Sequence, residues 1–565
     1  MPDGARSEEP ALQTSRRRFM AYFAGAGLAG TVLPGSLWAA WQQSEEPKVT
    51  TAMLSQAEKL AGLEFTAQER ELMIEDLNDT LEDIQGLREI DLPNAVPPAL
   101  HFDPRLPGMH FDKTRRPMRP SAGSARALPA DREEIAFWPV TDLARLIRDR
   151  KISSVELTTL YLDRLKRFDP KLQCVITLTE ELALRQARRA DEELARGVYR
   201  GPLHGIPWGA KDLLSTRDYP TTWGAMPYKD QVIDEDATVV SRLENAGAVL
   251  VAKLTLGALA WGDVWYGGTT KNPWNLEQGS SGSSAGPASA IAAGLVGFAI
   301  GSETLGSIVS PSTRCGVTGL RPTFGRVSRH GAMALSWSMD KLGPMARSVE
   351  DCALVLDAVL GPDGHDPTVS DLPFNWDAGL DVSRLRVGYL KSAFENGRGS
   401  EAMKANDQKA LADLRGLGID LIPIDLPDFP VGSLSFILNT EAAAAFDDLT
   451  RSNRDDAMVR QIRRAWPNAF RASRLVPAVE YIQANRARTV LMGLMDEALA
   501  DIDVYVAPSF SGNLLVTNLT GHPAIALPNG FSDEGSPTSI TFSAPLYAED
   551  KLCALAKAYQ DATDH

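Results

Sequence analysis

From Met53 to Arg88 apolar residues recur at helical spacing in two blocks, Leu54-Ser-Gln-Ala-Glu-Lys-Leu-Ala-Gly-Leu and then Ala67 to Leu87. The spacing predicts two helices. From Leu92 to Ala130 the periodicity lapses. Pro97-Pro98, Pro104, Pro107, Arg115-Arg116-Pro117 and Pro120 make this stretch Pro-rich and basic, the pattern of a linker or of a strap across a surface. From Ile135 the pattern becomes α/β. Val140 to Arg150 and Ser153 to Phe168 read as amphipathic helices, with Ser154 the expected N-cap of the second. Glu180 to Gly197 reads as a charged helix. Short β-branched or apolar runs follow at Ala248-Val-Leu-Val-Ala-Lys, Leu385-Arg-Val-Gly-Tyr-Leu, Ile419 to Ile424 and Asp503-Val-Tyr-Val-Ala-Pro. Strands alternating with helices argue for a mixed sheet covered on both faces. No internal repeat or long low-complexity tract interrupts it.

The extreme N-terminus follows a different pattern. Ser15-Arg16-Arg17-Arg18-Phe19-Met20 precedes an uncharged stretch to Ser44 that contains Ala-Gly-Ala-Gly-Leu-Ala-Gly, Pro34 and Ala39-Ala40. A basic start, a weakly apolar middle and a small-residue end are features of a cleaved export signal. The Arg pair before Phe19 resembles a twin-arginine signal, which implies the twin-arginine translocon as a partner during export. The expected location is periplasmic or secreted. The uncharged run is also long enough to span a bilayer, so a membrane anchor is the alternative. The expected organisation is a signal over 1–44, a helical extension and Pro-rich linker over 45–132, and the main domain over 133–565.

Composition narrows the function classes. The chain has 565 residues, enough to bury a large core. Lys and Arg number 58 against 73 Asp and Glu, a net charge of −15. That balance argues against electrostatic nucleic-acid binding. The four cysteines, Cys174, Cys315, Cys352 and Cys553, lie in apolar surroundings with no C-x-x-C pair and no Cys/His cluster. They suggest neither a zinc site nor a disulfide framework.

Three segments carry chemistry. The first is Gly201-Pro-Leu-His-Gly-Ile-Pro-Trp-Gly-Ala-Lys211-Asp212. The second is Gly279-Ser-Ser-Gly-Ser283-Ser284-Ala-Gly. The third is Gly301-Ser-Glu303-Thr304-Leu305-Gly306-Ser307-Ile308. The third reads as an apolar strand, Leu295 to Ile300, entering a small-residue loop. Such a loop lets backbone N–H groups converge on one point, as a tetrahedral oxyanion requires. Ser307 at its end suits a nucleophile. A Ser of the second segment, ahead of a helix with Pro287 in its first turn, suits a proton relay. Lys211, after a short apolar run, suits a base, because desolvation disfavours charged lysine and a neutral amine can accept a proton from Ser. Taken singly, a lysine after an apolar run is usually a solvated strand end and a Gly/Ser tract a flexible loop.

Together the three segments resemble the amidase signature family. Its pattern is a Gly-(Ile/Val)-Pro strand ending in Lys-Asp, a Gly-Gly-Ser-Ser-Gly-Gly segment, and Gly-Thr-Asp-x-Gly-Gly-Ser-Ile-Arg. Ser283 follows Lys211 by 72 residues and Ser307 follows Ser283 by 24. Asn272-Pro273, Gly319-Leu-Arg-Pro-Thr323-Phe324-Gly325, Asp340-Lys-Leu-Gly-Pro-Met-Ala-Arg-Ser-Val-Glu-Asp351 and Gly521-His522-Pro523 also match, so the likeness runs from about Ile135 to the C-terminus. Ser280-Ser281 and Ser283-Ser284 both offer a Ser pair; counting back from Ser307 selects Ser283 as the family's serine on a cis peptide. The sequence departs from the pattern at Ala285, Ser302, Glu303, Leu305 and Val309, and these changes bear on substrate preference.

The resemblance implies a single large α/β domain with a central mixed sheet surrounded by helices. It implies an amidohydrolase with a Ser-Ser-Lys triad: Lys211 as base, Ser283 as relay, Ser307 as nucleophile. The backbone N–H groups of Thr304, Leu305, Gly306 and Ser307 would hold the oxyanion. No metal or organic cofactor is implied, the partner is a small-molecule amide, and a homodimer is compatible. His204 and His522 are expected to be structural. The substrate pocket is expected to draw its walls from Leu438 to Leu449 and Arg471 to Arg488. The same signature occurs in one component of a tRNA-dependent amidotransferase, its A subunit, and would persist in an inactive binding protein, so both are alternatives.

Overall fold

The computed structural model describes residues 49–563 except Asp91, Ser124, Ala125 and Arg398. The signal expected over 1–44 lies outside the described residues. Among those described, no helix is long and apolar enough to cross a membrane. The chain divides into two compact units: one ends at Pro93 and takes in Leu475–Pro477, and the other comprises Asn94–Arg474 with the residues from Ala478 onward.

The described part of the first unit contains the two expected helices, Thr51–Ala61 and Ala67–Arg88. Thr66 and Glu69 form a capping box at the start of the second, satisfying N–H groups that no helical turn reaches. The buried Glu58 carboxylate takes Arg70 Nε at 2.6 Å and ties the helices together.

The second unit is built on eleven strands: β1 (Val175–Leu178), β2 (Pro207–Lys211), β3 (Val249–Leu254), β4 (Phe298–Glu303), β5 (Thr318–Arg321), β6 (Lys341–Ala346), β7 (Val387–Leu390), β8 (Leu421–Ile424), β9 (Val504–Pro508), β10 (Ala524–Phe531) and β11 (Pro537–Ser543). Their order is β1-β3-β2-β4-β6-β5-β10-β11-β9-β7-β8. The sheet is mixed: β3, β2 and β4 run parallel, as do β9, β7 and β8, while the middle pairs antiparallel. Every residue of β2, β3, β4 and β6 is buried, as a central strand covered on both faces requires. An α/β fold with a large mixed sheet and surrounding helices is therefore the architecture.

Two boundaries differ from expectation, each for a local reason. The N-cap of the helix Ser154–Leu172 is Ser153, whose hydroxyl forms a capping box with Glu156. Ser154 instead donates its hydroxyl to Gly205 O at 2.9 Å inside the core. The strand expected at Leu295 begins at Phe298, because Leu295 N still bonds to Ala290 O and closes the preceding helix. The strand correspondingly runs on to Glu303, and Gly301, Ser302 and Glu303 belong to the sheet rather than to the loop.

From Asn94 to Ala130 the chain crosses the second unit as a strap, without helix among the described residues. Arg119 N donates to Trp376 O and Ala378 N to Arg119 O, both at 2.9 Å, and Arg115 pairs with Asp371. The four cysteines are free and buried.

Candidate active site

Lys211 ends β2, and its side chain is fully buried. Its Nζ lies 2.8 Å from Ser283 Oγ, 2.8 Å from Ser302 Oγ, 3.0 Å from Ser284 Oγ and 3.3 Å from Ser302 O. All four neighbours are neutral oxygens. Burial therefore pushes the amine well below the ordinary lysine range, and the more distant carboxylates of Asp340 and Glu303 offset only part of this. The next residue, Asp212, is fully buried against Lys253 Nζ at 2.9 Å. It also accepts from Thr222 N and Thr222 Oγ1, which fixes the strand end that carries Lys211.

The Ser pair is resolved by its hydrogen bonds. Ser280 Oγ donates to its neighbour's carbonyl, Ser281 O, and Ser281 Oγ meets Ser310 Oγ, so neither bonds to the lysine. Ser283 and Ser284 both do. Ser284 donates its hydroxyl proton to Ser302 O at 3.1 Å and accepts from Ser302 N. The Ser283 hydroxyl has no such commitment and is the one free to exchange a proton with Nζ. The Gly282–Ser283 peptide is cis. Gly282 is required by crowding: a Cβ there would meet Gly262 O at 1.9 Å.

Ser307 is joined to this pair through its backbone, its carbonyl accepting from Ser284 N at 3.1 Å. Its hydroxyl makes no hydrogen bond among the described residues. The loop around it is shaped by Glu303. One Glu303 oxygen accepts from Ile308 N at 2.8 Å and Val309 N at 3.0 Å. The other accepts from Arg321 at 2.6 Å and Asn518 at 2.9 Å. Burial raises the Glu303 carboxyl, but Arg321 and these donors outweigh it and hold the group down to about 2. With Ile308 and Val309 engaged, the N–H groups of Leu305, Gly306 and Ser307 make no hydrogen bond among the described residues. Gly306 has φ +80°, a left-handed turn that favours glycine and lets the chain reverse between Leu305 and Ser307. Leu305 is 38 % exposed and Ser307 8 %, so the loop's outer side is reachable. Thr304 donates its hydroxyl to Asp340 at 2.6 Å.

This loop, serine pair and buried lysine coincide with a family-wide match. The amidase family model covers residues 156–513. The chain is 35% identical over 472 residues to the A subunit of the glutamyl-tRNA(Gln) amidotransferase of Methylococcus capsulatus, covering 75% of this chain and 97% of that relative. The chain belongs to the amidase family. Among solved structures it is similar to the native peptide amidase from Stenotrophomonas maltophilia, with 31% identity, a TM-score of 0.67, and 75% of this chain and 97% of that one covered. It is also similar to a 6-aminohexanoate cyclic dimer hydrolase solved with its substrate, with 25% identity, a TM-score of 0.64, and 76% and 98% covered. It is thus an amidase-family hydrolase, and its relatives' names differ in substrate.

Within this amidase fold both histidines near the motifs are buried away from the lysine. His204 Nε2 meets Ala190 O at 2.9 Å. His522 Nδ1 meets Thr520 Oγ1 at 2.7 Å, and burial with Arg321 pushes its imidazole down to about 3. Four polar residues around the site were not singled out from the sequence: Ser302, Asp340, Arg321 and Lys341. Ser302 registered only as a substitution, although strand alternation in β4 sets it and Glu303 on opposite faces and so distinguishes the lysine's partner from the loop's clamp. Lys341 stands opposite Glu303 in the β4–β6 register. Its Nζ is buried without a hydrogen-bond partner among the described residues. Burial and the nearby Arg321 push that amine well below its ordinary range.

A cavity of about 110 Å³ abuts the site at Ser302 and Thr304. Glu441 and Arg488, from the segments expected to wall the pocket, do not line it. They hold the turn at Ser336 and Ser338 instead: Glu441 accepts from Ser336 Oγ and Ser338 Oγ, and Arg488 donates to Ser338 O.

Replacing Glu303 by Gln leaves the buried Arg321 without its countercharge. Breaking a buried pair in this way costs about 3–5 kcal/mol, and the loop around Ser307 loses its clamp. Glu303→Gln is expected to lower the thermal midpoint and to lower kcat more than it raises KM. Calorimetry and steady-state kinetics check this; a variant with wild-type midpoint and kcat would show that the clamp is dispensable.

Proposed function

We propose that this amidase-family hydrolase cleaves carboxamide C–N bonds through an acyl-enzyme on Ser307, with Ser283 and Lys211 completing a Ser-Ser-Lys triad. The observation that carries the reading is the fully buried Lys211 amine 2.8 Å from the uncommitted Ser283 hydroxyl. A neutral amine in that position accepts the Ser283 proton as Ser283 takes the proton of Ser307. Ser307 Oγ then bonds to the carbonyl carbon. The oxyanion is received by the backbone N–H groups of Thr304, Leu305, Gly306 and Ser307, and donors preorganised in this way are worth about 3–4 kcal/mol each. The proton returns through Ser283 to the amide nitrogen, the C–N bond breaks, and the amine leaves. Water repeats the sequence against the acyl ester, releasing the acid and restoring Ser307. The chemistry needs no cofactor.

The name of the 35% identical relative favours a second reading, a component of a tRNA amidotransferase. The net charge of −15 weighs against work beside tRNA, as does the Arg16-Arg17 pattern. An inactive binding protein on this fold is disfavoured by retention of Lys211, Ser283 and Ser307. We also propose export to the periplasm or beyond through the twin-arginine pattern.

Fluorophosphonate labelling tests the reading. Wild-type protein should be labelled at Ser307, and Ser307→Ala should not. Lys211→Ala should lower amide kcat/KM by about 10²–10⁴, the usual worth of a general base. Wild-type kcat/KM should rise with pH through the lowered lysine pKa and then level off, because the unprotonated amine is the active form. Loss of activity above neutrality, or a Lys211→Ala enzyme with near wild-type amide turnover, would remove Lys211 from the mechanism; co-purification with tRNA would favour the amidotransferase component.

For export, Arg16→Lys with Arg17→Lys is expected to retain the protein in the cytoplasm of a twin-arginine-competent host, measured by fractionation. Periplasmic recovery of the double variant equal to wild type would contradict the pattern.

A further inference from the structure

The cavity beside the site has one wall that comes from outside the motif-bearing elements. Its inner wall includes Leu213, Met333, Leu335 and Leu342, and its outer rim is the strap from Asn94 to His101, with Pro97, Pro98 and Leu100 facing it. The strap is pinned there by one side chain. Asn94 Oδ1 accepts from Ala334 N at 2.8 Å, and Asn94 Nδ2 donates to Ala334 O at 2.9 Å and to Ala445 O at 3.4 Å. A paired amide of this kind fixes the strap to the loop that forms the inner wall.

Two charged groups at the cavity, Arg329 and Asp340, are already satisfied by protein, and the lining also includes the imidazoles of His101, His330 and His365. Arg329 is taken up by Asp366, Trp337 O and Thr368 Oγ1. Asp340 accepts from Thr304, Leu335 N and Ser336 N. The cavity therefore presents no free charge from these two groups and offers mainly apolar wall. At its rim Leu100 is 82 % exposed, apolar surface that an apolar group seated in the cavity would cover. An apolar protein cavity of about 150 Å³ takes up benzene. One of about 110 Å³ suits a branched alkyl group or a small ring partly projecting to the rim, not a long chain. The cavity meets the loop at Thr304, and the acyl group is the part of the substrate that stays bonded to Ser307 beside that loop.

We propose that the strap segment Asn94–His101 is a specificity element: it forms the outer wall of a small apolar cavity that receives the acyl group of the substrate. The proposal rests on the Ser307 acyl-enzyme reading above. It assigns a preference for amides of compact, apolar acids, with Leu100 and the Asn94 anchor setting the upper size.

Fluorophosphonates with methyl, isobutyl, phenyl and dodecyl groups on phosphorus test it without a known substrate, since each forms a covalent adduct with an active serine and the varied group takes the acyl position. Labelling rates are read by intact-protein mass spectrometry on wild type, Leu100→Gly and Asn94→Ala. Leu100 is largely exposed, so its replacement leaves the core intact; Asn94→Ala releases the same wall by a different route. Wild type should label with the isobutyl or phenyl probe at least about ten-fold faster than with the methyl or dodecyl probe, the scale of discrimination that a snug apolar pocket provides. Both variants should reduce that ratio by about five-fold or more. Ratios unchanged in both variants overturn the strap's role while leaving the acyl-enzyme reading intact. A wild-type rate that is flat across the series overturns the cavity assignment. Labelling absent from Ser307 with every probe overturns the acyl-enzyme reading and the proposal with it.

Discussion

A lysine amine withdrawn from water either finds a countercharge or loses its proton, because the cost of holding a bare ammonium in a low-dielectric interior exceeds what neutral oxygens return. Burial among neutral oxygens pushes Lys211 toward the second outcome. Its contacts are hydroxyls and a carbonyl from Ser283, Ser284 and Ser302. The carboxylate nearest in sequence, Asp212, is engaged by Lys253. The two lysines of adjacent parallel strands are thereby given opposite environments: Lys253 is paired with a carboxylate, and Lys211 is left among hydroxyls. The Lys211 side chain is fully buried, and no carboxylate is among its hydrogen-bond partners.

The loop that ends in Ser307 depends on a second buried charge. Glu303 draws Ile308 N and Val309 N toward itself while Arg321 and Asn518 hold it from behind. By taking those two amides it leaves the preceding ones unengaged, and Gly306 supplies the left-handed turn between the exposed Leu305 and the buried Ser307. An acid longer by one methylene than the family's Asp fits here because its carboxylate is fixed from both sides. A buried ion pair gives little stability relative to an apolar core but tolerates few alternative arrangements, which suits a loop proposed to act through the direction of its N–H groups.

Much of this was legible before any coordinates. Lys211, Ser283 and Ser307 each sit at a motif whose spacing is specific, and the structure brings Lys211 and Ser283 within 2.8 Å and ties Ser307 to Ser284 through its backbone. The helices at 51–61, 67–88 and 180–195 follow from periodicity. Other parts were hidden for physical reasons. β6 contains Gly343 and Pro344 at its centre, a combination that normally argues against a central strand. Gly343 is nonetheless required, since a Cβ would meet Leu320 O at 2.1 Å. Ser302 and Glu303 registered only as departures from a pattern, because a residue's direction across a sheet becomes evident only once the strand's last residue is known. At the cavity the strap is anchored by Asn94, which makes three long-range hydrogen bonds, and no periodicity reports such an anchor.

The account turns on the charge of one nitrogen. The most direct test is NMR titration of lysine-selectively ¹³Cε-labelled protein, with Lys211→Met to assign the Lys211 resonance. The account predicts that Lys211 reports a neutral amine at pH 7 and titrates well below the ordinary lysine value of about 10.4. A Lys211 resonance that stays in the charged position at pH 7 and titrates with the ordinary lysines would contradict it.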